Sequence, residues 1–168
     1  MDKRPIVVLK KNTTDKILTV LALAMISFMW IYSILYYPLL PDTIVTHFDF
    51  NGKPNDYGSK NTIWILPGIT TILMILFKIL GKRPDRFNYI VNIDESNAAF
   101  QYKSAVRMLN LLALNISFLF SYILYKLING CLTQHSELDI WFIPILLISV
   151  LTPTFYFVYS TTKKKRKV

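Results

Sequence analysis

Residues 38–61 read PLLPDTIVTHFDFNGKPNDYGSKN, a polar and turn-rich stretch between two long apolar runs, Ile17–Tyr37 and Ile63–Leu80. A helix that crosses a hydrocarbon core of about 30 Å needs roughly 20 residues, and each run is close to that length. Prolines, glycines and asparagines at fixed points give the stretch the chemistry of specific turns rather than of a flexible linker. The sequence therefore predicts two membrane helices joined by an ordered loop.

Two further apolar blocks, Met108–Tyr125 and Ile140–Tyr159, continue the pattern through the rest of the 168 residues. The only charged residue in the four blocks is Lys78, which lies close enough to a helix end to extend toward lipid headgroups. A soluble domain of this length could not bury four such blocks. We predict an all-α, polytopic membrane protein in one domain (residues 1–168). Its four transmembrane helices are expected over about 17–37, 63–80, 108–126 and 140–159.

The chain has a formal net charge of +9, and its basic residues are unevenly distributed. They concentrate in the N-terminal tail, in the connector over residues 81–107 and in the C-terminal tail. The other two connectors contain only Lys53, Lys60 and Lys126. Because basic residues near helix ends stay on the cytoplasmic side, we predict a multi-pass plasma-membrane protein with both termini cytoplasmic and an extracytoplasmic 38–61 loop.

The predicted cytoplasmic side contains two segments with recognisable chemistry. Taken alone, the basic run Lys163–Lys167 fits a nuclear localisation signal or a nucleic-acid patch. Because the run directly follows a membrane helix, we expect it to attract anionic lipid instead, and we expect no nucleic-acid partner. Residues 94–107 predict an amphipathic helix on the inner surface that bends or runs into the third membrane helix. The 81–107 connector is the candidate site for a cytosolic regulator.

In the outer loop, Thr43–Phe50 alternates in the manner of a strand, and the following Asn51-Gly52 pair is a turn signal. No convincing second strand follows this turn. Asp42 is expected to cap the turn after Pro41, and Asn51 and Gly52 are expected to adopt left-handed conformations. The aromatic side chains expected to pack onto the rim of the bundle are Phe48, Phe50 and Tyr57. The side chains expected to form one hydrogen-bonded and ionic cluster are His47, Asp56 and Lys60.

The same loop offers candidate groups for metal binding or catalysis. His47 and Asp56, with Asp42 and Asp49, supply the imidazole and carboxylate ligands that Zn²⁺ accepts, and His47 is also a candidate base beside Asp56. A single histidine without a second ligand at a metal-binding spacing is a weak signal, and no nucleophile–base pair is visible. We expect neither enzymatic activity nor a cofactor, with a metal-dependent membrane enzyme as an alternative.

A seam of polar residues, Asn110, Ser117 and Ser121, follows one side of the predicted third helix. Polar side chains in membrane helices usually face other helices, so the seam predicts interhelical hydrogen bonds. The alternative is a solute path in a small transporter or transporter subunit. None of the four apolar blocks contains Asp, Glu or His, which argues against an ion-coupled pump.

The loop motif resembles a known family. LLPD at 39–42, THF at 46–48, NGKPND at 51–56 and GSK at 58–60 are similar to the signature of the domain of unknown function 1648 family, with an expected core over about 20–75. Ile93–Ala98 and Gln101-Tyr102 are similar to a second stretch found in these proteins. Val45 stands where the family usually has proline.

The resemblance implies an integral membrane protein related to SdpI-like immunity proteins, which protect a cell from a secreted toxic peptide and can relay its presence to a cytosolic regulator. On that basis the chain is expected to bind an extracytoplasmic ligand, either a toxic peptide or an envelope component, for toxin immunity or envelope sensing. The residues expected to form the motif and ligand surface are Pro41, Asp42, His47, Phe48, Asn51, Gly52, Pro54, Asp56, Gly58 and Lys60.

Overall fold

The computed structural model describes residues 4–10 and 12–163. Its helices are α1 (Thr13–Tyr36), α2 (Ile65–Leu80), α3 (Ala98–Thr133) and α4 (Phe142–Lys163), and its strands are β1 (Thr43–Phe48) and β2 (Pro54–Ser59). All four helices are long and apolar enough to cross a membrane, α2 together with the 3₁₀ turn Lys60–Trp64 that precedes it. The predicted four-helix membrane fold is confirmed, and a small two-stranded sheet is added to it.

The chain arranges these elements so that the hairpin and the α3–α4 loop lie at one end of the bundle, which we call the cap end. The N-terminal residues, the connector over 81–97 and the end of α4 lie at the opposite end, which we call the connector end. There the Gln101 side chain donates to the Thr161 carbonyl, and the Tyr102 hydroxyl donates to the Pro5 carbonyl. The basic tail expected to attract anionic lipid continues beyond Lys163, outside the described residues.

Helix α3 is the centre of the bundle because it packs against α1, α2 and α4. It begins at Ala98 and continues without interruption for 36 residues. The predicted inner-surface helix and the predicted third membrane helix are therefore one helix. At about 1.5 Å per residue it is about 54 Å long, which exceeds the roughly 30 Å of a hydrocarbon core.

The buried core extends from the helices into the hairpin. Ala22 and Met29 of α1, Leu124 and Ile128 of α3, and Ile44 of β1 belong to one buried cluster. By contrast, most of α4 is uncovered, and Phe155 is 67% exposed. Apolar residues uncovered by protein in such a helix are suited to contact with lipid.

Lys78 lies in a polar cluster within the bundle near the connector end. Its ammonium group donates to the Thr19 hydroxyl of α1 at 2.5 Å and to the Asn110 side-chain oxygen of α3 at 2.8 Å. One turn away, the Arg107 guanidinium meets the Asp15 carboxylate at 3.3 Å. The prediction that Lys78 extends toward headgroups is wrong, because helix packing offers it two oxygen acceptors inside the bundle. The cluster joins α1, α2 and α3.

Candidate functional site

The hairpin is an antiparallel pair that runs from Thr43 opposite Ser59 to Phe48 opposite Pro54, with irregular register on either side of His47. Its turn is organised by one carboxylate. Asp49 Oδ1 accepts the backbone N–H groups of Asn51 at 2.8 Å and Lys53 at 2.9 Å. The second strand was missed in the sequence, whereas the turn itself was predicted correctly.

Gly52 supplies the left-handed conformation that the turn requires, with φ of +79°. Asn51 does not share this conformation, since Gln134 is the only non-glycine residue with positive φ among those described. The Gly52 carbonyl accepts the backbone N–H of Leu138 at 2.8 Å. A Cβ atom at position 52 would lie 2.4 Å from the Leu138 carbonyl oxygen. The turn is therefore in close backbone contact with the α3–α4 loop.

At its base the hairpin is attached to the ends of α1 and α2. The Lys60 backbone N–H donates to the Asp42 carbonyl at 2.9 Å, and the Lys60 ammonium pairs with the Asp42 carboxylate at 3.0 Å. The Tyr37 hydroxyl donates to the Asn61 side-chain oxygen at 2.6 Å. Because β1 also buries Ile44, the hairpin is held at its base, along one strand and at its turn.

The α3–α4 loop, residues 134–141, completes this structure, and we call the hairpin and this loop together the cap. Leu138 is buried beside Phe142, with Phe48 packed against them. The Tyr122 hydroxyl donates to the Asp139 carboxylate, and the Lys126 ammonium lies 3.5 Å from it. These two contacts, the hydrogen bond first, lower the pKa of Asp139 below its usual value. The sequence did not predict that this loop is part of the cap, because its local pattern does not indicate a contact with Gly52.

The predicted cluster of His47, Asp56 and Lys60 does not form. His47 Nδ1 lies 2.6 Å from the Asn55 side-chain oxygen, Asp56 accepts the N–H of Tyr57, and Lys60 pairs with Asp42. In the parts of the chain that the structure describes, no three His, Cys, Asp or Glu side chains gather as metal ligands would. The described residues therefore offer no set of ligands for the metal that the alternative of a metal-dependent enzyme requires.

The aromatic residues of the hairpin divide into a packed one and two exposed ones. Phe48 packs against the buried cluster beside Leu138 and Phe142. Phe50, at the turn, is 90% exposed, and Tyr57, on β2, is 60% exposed. The prediction that all three pack onto the rim is wrong for Phe50 and Tyr57, because the Asp49-centred turn and the pairing of β2 hold these residues away from the bundle.

Two cavities adjoin the hairpin. One of about 350 Å³ lies between the hairpin and the α3–α4 loop, where its lining includes Tyr57, Cys131, His135 and Glu137. Another of about 360 Å³ lies beneath β1. Its wall is mostly apolar, and its polar lining includes His47 and Asp49. Among the motif residues, Pro41 and Pro54 line the first cavity, while Gly58 packs so closely that an added Cβ would lie 3.0 Å from Thr46 Cγ2.

The polar seam of α3 is buried within the bundle. Asn110 accepts from Lys78, the Ser117 hydroxyl donates to the Ala113 carbonyl at 2.7 Å, and the Ser121 hydroxyl lies 2.7 Å from the Ser117 carbonyl. Ser121 also lies 3.3 Å from the Met25 carbonyl of α1. These contacts favour the interpretation of the seam as a helix-packing feature over the alternative of a solute path.

The connector, proposed above as a regulator site, is structured. Arg4 donates to the carbonyls of Asp85 at 3.1 Å and Phe87 at 2.5 Å, and its guanidinium lies over the Tyr89 ring. The hydrogen bond from Arg83 holds the pKa of Asp85 below its usual value, and burial raises the pKa of Tyr89. A cavity of about 890 Å³ lies against this segment.

Residues 24–71 match the model of a family described as a domain of unknown function (DUF1648). The predicted resemblance is confirmed for this segment. The DUF1648 segment comprises the later part of α1, the whole hairpin and the first turns of α2, and it contains the motif residues from Pro41 to Lys60. Helices α3 and α4, including the loop that contacts Gly52, lie outside it.

A similarity to one curated protein extends beyond the DUF1648 segment. An uncharacterized protein of Archaeoglobus fulgidus is 28% identical over 158 residues, which cover 86% of this chain and 85% of the relative. No solved structure matches the chain. These similarities assign no activity, so the function has to be argued from the geometry of the cap.

Proposed function

We propose that this membrane protein is a receptor whose cap binds an extracytoplasmic peptide, in toxin immunity or envelope sensing. The observation that supports this proposal is the contrast between how firmly the hairpin is held and how much of it is uncovered. Its base, turn and first strand are attached to the bundle, while Phe50 and Tyr57 remain exposed. A preorganised surface avoids part of the ordering cost of binding, and aromatic side chains are frequent anchors in interfaces.

The free edge of β2 suggests how a peptide would bind. Among the described residues, β1 is the only sheet partner of β2. An exposed strand edge presents unpaired backbone donors and acceptors, to which an extended peptide can add as a further strand. In this mode the backbone of Pro54–Ser59 gives affinity. Tyr57 and the adjoining cavity with His135 and Glu137 give side-chain selectivity.

The charge distribution supports an extracytoplasmic cap. The described basic residues at the connector end include Arg4, Lys82, Arg83, Arg86 and Lys103, whereas those at the cap end are Lys53, Lys60 and Lys126. The side of a membrane protein that is richer in Lys and Arg usually stays in the cytoplasm. In this orientation the connector is the segment through which a cytosolic regulator would detect binding. We propose a binding role rather than catalysis.

The proposal predicts that replacing both Phe50 and Tyr57 with alanine reduces protection of a sensitive bacterial host. A well-packed aromatic anchor contributes about 2 kcal/mol, which is roughly a 30-fold change in affinity. We therefore expect the inhibitory concentration of a matching secreted peptide toxin to fall at least about 30-fold relative to the unmodified protein. The measurement is the inhibitory concentration of a panel of purified peptide toxins, at membrane levels confirmed to be equal.

The matched control is Phe155→Ala with Tyr159→Ala, which removes the same two side-chain types from the exposed surface of α4. This control should protect as well as the unmodified protein. Equal protection by the Phe50→Ala, Tyr57→Ala variant would place the binding surface elsewhere. If the unmodified protein protects against no member of the panel, the immunity form of the proposal is wrong.

A further inference from the structure

A groove between the first turns of α3 and the last turns of α4 is lined by basic and hydroxyl side chains at one end and by apolar side chains at the other. It encloses about 230 Å³ at the connector end of the bundle. The turns nearer the helix ends contribute the polar lining residues Lys103, Ser104, Arg107 and Ser160, together with the rings of Phe100 and Phe157. The deeper part is lined by Met108, Leu111, Pro153 and Tyr156. The groove therefore has a cationic, hydroxyl-bearing mouth and an apolar interior.

The cations at the mouth have unused hydrogen-bonding capacity. Arg107 donates through Nε to Asp15, and its side chain remains 38% exposed. Within residues 4–10 and 12–163, no other partner of its guanidinium and no acidic partner of Lys103 is found. A guanidinium fork can bind two oxygens of one phosphate group, and an ammonium adds a further donor.

The same groove lies between two helices that are joined near this end by buried residues, Gln101 of α3 and Thr161 of α4. Most of α4 is uncovered, and a hydrogen bond from Gln101 to the Thr161 carbonyl ties it to α3. Pro153 lies inside α4, where the missing N–H leaves one helical hydrogen bond unmade and favours a bend. An occupant of the groove would therefore contact both helices and fill the space between them.

We propose that this groove binds one anionic phospholipid of the surrounding leaflet. Its phosphate is held by Lys103 and Arg107, with the hydroxyls of Ser104 and Ser160 as additional donors, and an acyl chain lies over the apolar interior. A lipid fits better than a soluble phosphate because the apolar interior continues directly from the cationic mouth. Basic pockets between membrane helices are known sites for anionic lipid headgroups. This site is separate from the cap, and it does not depend on the proposed receptor function.

The test is native mass spectrometry of the full-length protein after mild delipidation and titration with phosphatidylglycerol or phosphatidylcholine. Each basic residue near a membrane surface is expected to change the affinity about five-fold, so Lys103→Gln with Arg107→Gln should weaken phosphatidylglycerol binding about 25-fold. The control is Lys82→Gln with Arg86→Gln. It removes equal charge at the same end, outside the groove lining, and should bind within two-fold of the unmodified protein.

A second variant guards against a loss of folding caused by breaking the Arg107–Asp15 pair. Leu111→Trp fills the apolar interior and leaves both cations in place, so it should also lower phosphatidylglycerol occupancy. Equal retention of the two lipids by the unmodified protein would overturn the proposal. So would an affinity for phosphatidylglycerol in the Lys103→Gln, Arg107→Gln variant that equals that of the control variant. Displacement of phosphatidylglycerol by excess soluble glycerol 3-phosphate would show a phosphate site that is not a lipid site.

Discussion

Replacing Gly52 with alanine is expected to lower the free energy of unfolding by about 2–4 kcal/mol and to detach the hairpin turn from the α3–α4 loop. The left-handed backbone at φ of +79° costs a residue with a Cβ about 1–2 kcal/mol. The new Cβ would lie 2.4 Å from the Leu138 carbonyl oxygen, so one backbone has to move. That movement breaks the hydrogen bond from the Leu138 N–H to the Gly52 carbonyl.

Two measurements on the purified protein check this expectation. Thermal unfolding reports the change in stability, and hydrogen exchange at the Leu138 amide reports the detachment. Gly68→Ala is the matched control, because a Cβ at position 68 meets nothing within 4 Å and alanine is favoured over glycine in helices. Unchanged protection of the Leu138 amide in Gly52→Ala would show that the loop does not depend on this contact.

A further variant separates the two causes of the loss. Asparagine tolerates the left-handed conformation better than alanine does, but it still places a Cβ against Leu138. If Gly52→Asn is as unstable as Gly52→Ala, the collision with the loop dominates. If Gly52→Asn recovers most of the stability, the cost lies in the backbone conformation. We expect the first result because the atom 2.4 Å from the new Cβ is the Leu138 backbone oxygen, which cannot move away as the end of a side chain could.

Replacing Asn110 with leucine is expected to cost about 1.5–3 kcal/mol, although leucine is the more apolar residue and the site is buried in a membrane helix bundle. The reason is Lys78, whose ammonium group would lose the 2.8 Å hydrogen bond to the Asn110 side-chain oxygen. The Thr19 hydroxyl would remain as its other acceptor, but a charge that loses a partner inside a bundle costs more than the removal of the charge and that partner together. Lys78→Met alone is therefore expected to be less harmful than Asn110→Leu.

The measurement is a double-mutant cycle for unfolding in lipid nanodiscs, with Lys78→Met, Asn110→Leu and both changes together. The double variant should be more stable than Asn110→Leu. Hydrogen bonds between membrane helices average about 0.6 kcal/mol, so an Asn110→Leu effect no larger than this, without coupling to Lys78, would contradict the expectation. Such a result would mean that the Lys78 side chain extends to the headgroups when its partner is lost.

The four helices could be predicted because apolar blocks of membrane-spanning length are a local property of the sequence. Strand β2 could not, since its sequence PNDYGS contains Pro, Asn, Asp and Gly, which are depleted in strands. Its pairing is imposed from outside, by the tight turn at Asp49–Gly52 and by β1, which is anchored through buried Ile44 and Val45. Local propensity therefore identified one strand of the pair and missed the other.

The polar contacts show the same division between local and long-range information. Gly52 was correctly selected as a left-handed turn residue, but its contact with Leu138 joins segments 86 positions apart and leaves no periodic signal. The position of Lys78 near a helix end favoured the headgroups, whereas its two acceptors come from other helices, Thr19 and Asn110. For the same reason His135 and Glu137 could not be associated with the motif before the loop was seen beside the hairpin.

The uninterrupted length of α3 has a mechanical consequence. Its last turns line the cavity beside Tyr57, and its first turns contact the connector through the paired rings of Tyr102 and Tyr89. The two ends of this helix, which is about 54 Å long, thus lie at the cap end and at the connector end of the bundle. A tilt of about 5° around its midpoint would move each end by roughly 2 Å in opposite directions. A displacement of α3 at the cap end would therefore move its other end at the connector end directly, as a rigid-body tilt, without a series of side-chain rearrangements between the two ends.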